Sequence, residues 1–363
     1  MNAEVALGRP LANRILVLDG LRGIAVLLVI FAHARQTIGF PILPFSAASV
    51  FAGNLGSIGV DIFFVLSGFL ITNLLCRERA LSSHISIRQF YLRRVLRIMP
   101  AYVVFLSTIW MLTELHLASV SRRDWIAALT YTMNFRDRPS WIVGHLWSLS
   151  IEEHYYLIWP IVFSLLSPRR AVAILALVLV TCPAIRWGIL IWKPSLSAMT
   201  DLWTFTRLDC IAAGCLAALL IQREASMPFL RRLCRLWTGA LAIVVIAVIL
   251  SSLSGKFAVG VAPSLIAICL GVLILVSIQS SGTLLENRYL RFIGTVSYSL
   301  YLWQQVFLNP HEDHLWTRFP GNLLLAVTAA LGSYFIVERT FFRLKNALEV
   351  RRISLRAPTL KVA

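Results

Sequence analysis

Charge is scarce in this chain: of 363 residues only 14% are Asp, Glu, Lys or Arg, and just 17 of those are acidic. A water-soluble fold needs a polar shell. A sequence that is 58% hydrophobic, with a mean hydropathy of +0.76, has too little polar surface to make one, so the soluble globular classes are excluded. Cysteine is sparse too. The six, at 76, 182, 210, 215, 234 and 269, show neither CxxC nor zinc-ligand spacing, and none falls in an expected outer loop, which argues against a structural disulfide and against a metal site. Internal repeats and long polar loops are lacking, so no additional soluble domain is expected.

Apolar stretches fill the space that charge leaves. Crossing a bilayer takes about 20 residues at about 1.5 Å each, and ten stretches qualify, near 15–35, 57–77, 94–113, 144–166, 171–192, 204–222, 236–253, 258–279, 292–309 and 320–342. The expected class is all-α: a polytopic membrane helix bundle of about ten transmembrane helices spanning 15–342, between a cytoplasmic segment 1–14 and a basic cytoplasmic tail 343–363. The net charge of +17 suggests nucleic acid at first sight. Its distribution says otherwise, because the basic residues alternate loop by loop. Arg77, Arg79, Arg88, Arg93, Arg94 and Arg97 fall in the second-to-third connection and Arg223, Arg231, Arg232 and Arg235 in a later one, while the opposite side is poorer. That pattern sets topology, with both termini cytoplasmic in the cell (inner) membrane and anionic lipid as a partner of the basic loops. The first apolar stretch is too long, and too weakly flanked by a cleavage site, to be a removable signal peptide.

Each ionisable residue inside such a span is costly unless paired or hydrated, which makes it a functional candidate with a structural rival. Arg22 and His33 are eleven residues apart, about 16 Å of helical rise and within about 20° of three full turns, so they share a face. Taken singly, a snorkelling or Asp19-paired arginine and an interfacial histidine serve as well. In "GVDIFFVLSGFLIT", Asp61 either caps a helix start or reaches a partner, and Ser67-Gly68 is either a packing seam or part of a site. "HLWSLSIEEHYYLIWP" buries Glu152 at about the depth of His33. His145 shares the face of Glu152, and Glu153 points about 100° away. Arg207 and Asp209 are two apart and cannot pair along one helix, so each needs a partner on another helix or in water. Tyr298, Tyr301 and Trp303 are either belt aromatics or donors lining a cleft. Glu338 and Arg339 sit at an inner end where snorkelling is easy, and "HEDH" at 311–314 reads as a solvated turn.

A histidine beside a carboxylate suits general-base activation of a hydroxyl, and an arginine deeper on the same face suits an anionic donor arriving from the cytoplasm. Here the sequence resembles a known family. "LDGLRGIAVLLVIFAHA", "DIFFVLSGFLIT", "FYLRRVLRIMPAY", "HLWSLSIEEHYYLIWP", "TRLDCIAAG", "GTVSYSLYLWQQ" and "SYFIVERTF" occur in the order of the motifs of the integral-membrane acyltransferase-3 family, from about Leu18 to Phe342.

The resemblance implies a ten-helix bundle that moves an acyl group, most often acetyl, from cytoplasmic acyl-CoA to a hydroxyl of a glycan or glycolipid. It implies that Arg22 and His33 match the family's paired arginine and catalytic histidine, Glu152 the acidic residue after Trp-Ser-Leu, and Arg207 and Asp209 the Arg-x-Asp pair. The expected roles are His33, Glu152 and Asp61 in catalysis, with Glu152 or Asp61 orienting His33. Arg22 and Ser67 would sit on the acyl-CoA donor, and Trp147, Arg207, Asp209, Tyr298, Tyr301 and Trp303 on the acceptor. Three positions depart from the pattern: His154 where glutamine is common, Gln304 where histidine is common, and Thr340 where proline often follows. The appended esterase-like domain of some members is not seen, so separate envelope-glycan assembly proteins are expected partners. The rival class is a proton-coupled transporter or exporter, for which Pro160, Pro183 and Pro263 would break helices at midplane.

Overall fold

The computed structural model describes residues 11–41, 46–82, 84–223, 226–252, 255–279 and 284–344, so the expected N-terminal segment and basic tail lie largely outside the described residues. Every regular element among them is helical. The main helices are α1 (Leu11–Ala34), α2 (Ser46–Ser82), α3 (Ile87–Glu114), α4 (Arg122–Leu129), α5 (Leu146–Leu165), α6 (Pro168–Trp192), α7 (Thr204–Gln222), α8 (Leu236–Ser252), α9 (Ala262–Gln279), α10 (Arg288–Thr295), α11 (Ser297–Phe307) and α12 (Gly321–Ser333). Local sequence sets several of their starts. Ser167 accepts the Arg170 N–H at 3.4 Å with Pro168 next in line, and Asn287 accepts the Tyr289 N–H at 2.9 Å.

Polarity is inverted relative to a soluble protein. Leu157, Leu177, Val180, Trp192 and Leu324 stay exposed on the outside, while Asp61, Arg186, Asp209 and Glu338 are buried within. Seven helices among the described residues are long and apolar enough to cross a membrane: Leu16–Ala34, Asn54–Ser82, Ile87–Glu114, Pro168–Trp192, Pro194–Gln222, Ala262–Gln279 and Gly321–Leu344. Three expected spans miss that measure for separate reasons. The polar centre of α5 (Glu152, Glu153, His154) lowers its hydropathy, α8 is short at 17 residues, and the stretch 292–309 is split at Val296 into α10 and α11.

Helices α1 and α2 form the middle of the bundle, with α10 against α1 and α7 against α2. The α2–α7 contact is backbone to backbone: a Cβ on Gly68 would lie 2.0 Å from the Ile211 carbonyl oxygen, and one on Gly214 1.9 Å from that of Val65. The packing-seam reading of Gly68 therefore holds, and it brings Asp61 opposite Arg207.

Several expectations change. Because α2 begins at Ser46, Asp61 lies deep in a helix and cannot cap its start. The connection between α2 and α3 is only a few residues long, so Arg77 and Arg79 belong to α2 and Arg88, Arg93, Arg94 and Arg97 to the first turns of α3. Helices α5 and α6 continue through Pro160 and Pro183, and Pro263 occupies the first turn of α9, so the midplane breaks a transporter reading needs do not form at these prolines.

Candidate active site

Two sites lie along α1. At the first, Arg22 of α1, Arg94 and Arg97 of α3, Glu152 of α5 and Tyr301 of α11 line a cavity of about 970 Å³, its open mouth included. Arg94 and Arg97 are three apart on α3, which puts both guanidiniums on one side. No carboxylate comes within 4 Å of Arg22, Arg94 or Arg97 among the described residues. Arg94 instead lies 4.6 Å over the Tyr156 ring. The Ser67 hydroxyl donates to Glu152 Oε1 at 2.7 Å, and the Tyr156 hydroxyl meets Ser67 Oγ at 2.9 Å and Glu152 Oε2 at 3.1 Å. Opposite them, α12 runs on through a π-helical turn, Tyr334–Glu338, whose extra residue shifts the helix register. Glu338 consequently faces inward, 3% exposed, and accepts a hydrogen bond from Ser299, which overturns the snorkelling expectation; Arg339 stays exposed.

The second site is built around His33, in the last turn of α1. Its Nδ1–H donates to Gln304 Oε1 at 3.0 Å, and the Gln305 carboxamide nitrogen faces its Nε2 at 3.3 Å. The oxygen of the same Gln305 amide accepts from His145 Nδ1 at 3.0 Å and from the His145 backbone N–H at 3.2 Å. Since a carboxamide oxygen only accepts and its nitrogen only donates, the series fixes one tautomer throughout, with the lone pair of His33 on Nε2. His145 leads back to the first cavity. Its carbonyl accepts from Tyr301 at 3.1 Å and from Ser148 at 3.2 Å, and those two hydroxyls, 2.5 Å apart, line that cavity. Trp141 packs its ring nearly perpendicular to His33, centroids 5.6 Å apart.

Neither Glu152 nor Asp61 is a hydrogen-bond partner of His33, contrary to expectation. Asp61 is ion-paired with Arg207. Asp209 accepts from Arg186 at 2.8 Å and from Ser264 at 2.6 Å, and Arg186 also donates to the carbonyls of Gly260, at 2.9 Å, and Thr206. The requirement that Arg207 and Asp209 find partners on other helices is met in full. Removing one member of such a buried pair costs about 3–5 kcal/mol. Arg207, Asp209 and Asp61 do not line the cavity. Trp147 packs against Phe64 and Trp303 against Phe105, both edge to face, and the Tyr298 hydroxyl donates to the Ile98 carbonyl at 3.1 Å. Of the expected acceptor residues only Tyr298 and Tyr301 reach the cavity. The sequence reading overlooked Arg186, although an arginine inside an apolar stretch is the same signal that picked out Arg22.

Outside the spans, one carboxylate organises the loop that carries Trp141. Asp124 accepts from Arg136 Nε at 2.9 Å, from Ser121 Oγ at 2.8 Å, and from the backbone N–H and hydroxyl of Ser140 at 3.1 and 2.9 Å. Burial pushes the Asp124 carboxyl up, but the hydrogen bonds from Arg136, Ser121 and Ser140 outweigh it and hold it below the ordinary carboxylate value. The six cysteines are free, and no cluster of three His, Cys, Asp or Glu suited to a metal occurs among the described residues.

Comparison with known proteins identifies the family. The acyltransferase-3 family, described as an acyltransferase domain, matches residues 15–338. YrhL of Bacillus subtilis (strain 168) is 32% identical over 319 residues, covering 79% of this chain and 47% of YrhL. The peptidoglycan O-acetyltransferase OatA of Listeria monocytogenes serovar 1/2a is 28% identical over 358 residues, 89% of this chain and 54% of OatA. The O-acetyltransferase OatA of Staphylococcus aureus (strain NCTC 8325 / PS 47) is 27% identical over 354 residues, 88% of this chain and 56% of its own. The chain thus spans about half the length of the curated relatives it matches. No solved structure matches.

Proposed function

The chain belongs to the acyltransferase-3 family, and on that premise we propose that it is a membrane O-acetyltransferase. It moves an acetyl group from cytoplasmic acyl-CoA to a hydroxyl of a cell-envelope glycan. The three relatives carry O-acetyltransferase names, two of them for peptidoglycan, which supports the acceptor class. In this reading the bundle of residues 15–342 crosses the cell membrane ten times with both termini cytoplasmic, counting α5, α8 and the α10–α11 pair as crossings alongside the seven apolar helices.

The observation that carries the reading is the continuity of the two sites: a cavity lined by guanidiniums without ion-pair partners among the described residues leads, through Tyr301, Ser148, His145 and Gln305, to a histidine whose Nε2 lone pair meets only the Gln305 amide N–H. Three guanidiniums with no carboxylate within 4 Å among the described residues, in a cavity that Glu152, Glu153 and Glu338 also line, fit the phosphates of an acyl-CoA. The pantetheine arm would lie along α1 with the thioester toward His33, whose Cα is about 16 Å of helix from that of Arg22. His33 Nε2, oriented by Gln304, takes the proton of the acceptor hydroxyl as the oxygen attacks the acyl carbon. The C–S bond breaks, the thiolate leaves, and the proton passes from His33 to it. Glu152, tied to Ser67 and Tyr156, shapes the donor cavity, and Asp61 neutralises Arg207 in the wall between α2 and α7.

Transfer of labelled acetyl from acetyl-CoA into glycan or lipid, in membranes holding equal amounts of wild type, His33→Ala or Glu152→Gln, tests this. Label is expected in the wild type, absent with His33→Ala and reduced with Glu152→Gln. Equal labelling in all three removes His33 as the base.

A further inference from the structure

A second cavity lies on the other side of Trp141, and three chain segments converge on it. Ala118 and Ser119 follow α3, Ser140 to Ile142 precede α5, and Asn309, His311 and Glu312 follow α11. It is an open hollow of about 530 Å³, mouth included. Trp141 is common to this cavity and to the surroundings of His33: its ring lies 5.6 Å from the His33 ring and 5.2 Å from that of His311. The indole is held in place by its N–H, which donates to the Leu308 carbonyl at 3.2 Å.

The chemistry of the lining is selective. Asn309 is only 6% exposed, and its carboxamide oxygen is engaged by the His311 backbone N–H at 3.0 Å, yet its NH₂ has no acceptor among the described residues. The Glu312 side chain is 43% exposed, with its carboxylate 3.9 Å from His314. No lysine or arginine lines the space, so it offers nothing to a phosphate and is unsuited to the donor. An amide NH₂ without an acceptor among the described residues, a partly exposed carboxylate, two serine hydroxyls and an indole together match an uncharged sugar ring, which carries hydroxyls around its edge and C–H groups on its faces.

We infer that this cavity is the acceptor subsite, holding one uncharged pyranose unit of a glycan by Asn309, Glu312 and Trp141, one indole away from His33. The inference rests on the acetyl-transfer reading for its purpose, but not for the binding itself. Asn309→Asp keeps an oxygen for the His311 N–H and replaces the unpartnered donor with a charged acceptor; Glu312→Gln keeps the shape and removes the charge. Neither residue belongs to the donor cavity or to the hydrogen bonds of His33.

The experiment uses the full chain in nanodiscs with the soluble tetramer of N-acetylglucosamine as probe, measuring its binding by calorimetry and its acetylation from labelled acetyl-CoA. Each variant is expected to weaken tetramer binding and raise the acceptor KM by about three- to tenfold, the effect of one lost hydrogen bond, with the donor KM unchanged. Transfer with an unaltered acceptor KM in both variants overturns the subsite and leaves the acetyl-transfer reading standing. Binding that the variants weaken, without any transfer in the wild type, does the reverse. A wild type that neither binds nor acetylates the tetramer overturns the subsite as well.

Discussion

The residues that set the state of His33 carry no charge. Gln304 fixes its Nδ1–H, and Gln305 meets Nε2 with an N–H that an acceptor hydroxyl would have to displace, so two carboxamides perform the orienting task that carboxylates were expected to perform. Gln304→Ala is therefore expected to lower kcat by about tenfold, the value of one lost hydrogen bond, while the KM for acyl-CoA stays at its wild-type value. Steady-state kinetics with varied acetyl-CoA checks this, and an unchanged kcat would remove Gln304 from the mechanism. Rules keyed to ionisable groups found Arg22, His33 and Glu152 because burial makes charge conspicuous. They passed over Gln305, which the same rules treat as neutral filler. They also assigned Glu152 to His33 on depth alone, and depth along a helix does not say which neighbour the helix faces.

At the scale of elements, helix identity and approximate length were legible from hydropathy, whereas starts and register were not. Asp61 looked like a cap only because the apolar stretch begins later than the helix, and Glu338 looked interfacial because nothing in "SYFIVERTF" announces a π-turn. The segment from Ser121 to Ser140 offered no sequence signal of its own, although Asp124 ties its two ends together. The bound Asp124 carboxyl sits below its ordinary value of 3.8, so its stabilising contribution is present above that value and is lost as pH falls through the lower, folded one. Arg136 is the charged group that it faces. Amide hydrogen exchange across 121–140 should show protection at about pH 5 that falls away below 3.8, and an Asp124→Asn chain should lack it at either pH. Equal protection of the wild type on both sides of that range overturns the assignment.

For the whole molecule, the proposed ten crossings make a sharp statement about sidedness. Ser119, beside the Trp141 cavity, would face the outside, and Ser82, at the end of α2, the cytoplasm. In a cysteine-depleted background, Ser119→Cys should react with a membrane-impermeant maleimide in spheroplasts, and Ser82→Cys only after permeabilisation. Labelling of Ser82→Cys in sealed spheroplasts would invert the topology. On that topology the donor cavity would open to the cytoplasm and the Trp141 cavity to the outside, and the histidines between them would risk making the protein a conductor. A chain of imidazoles and carboxylates across that gap would pass protons down the gradient that energises the membrane. The Gln305 carboxamide stands between His145 and His33 instead, and an amide holds its neighbours in place without taking up or releasing a proton at ordinary pH. On the proposed topology it would make the path between the two cavities an insulator and keep the membrane electrically sealed between turnovers.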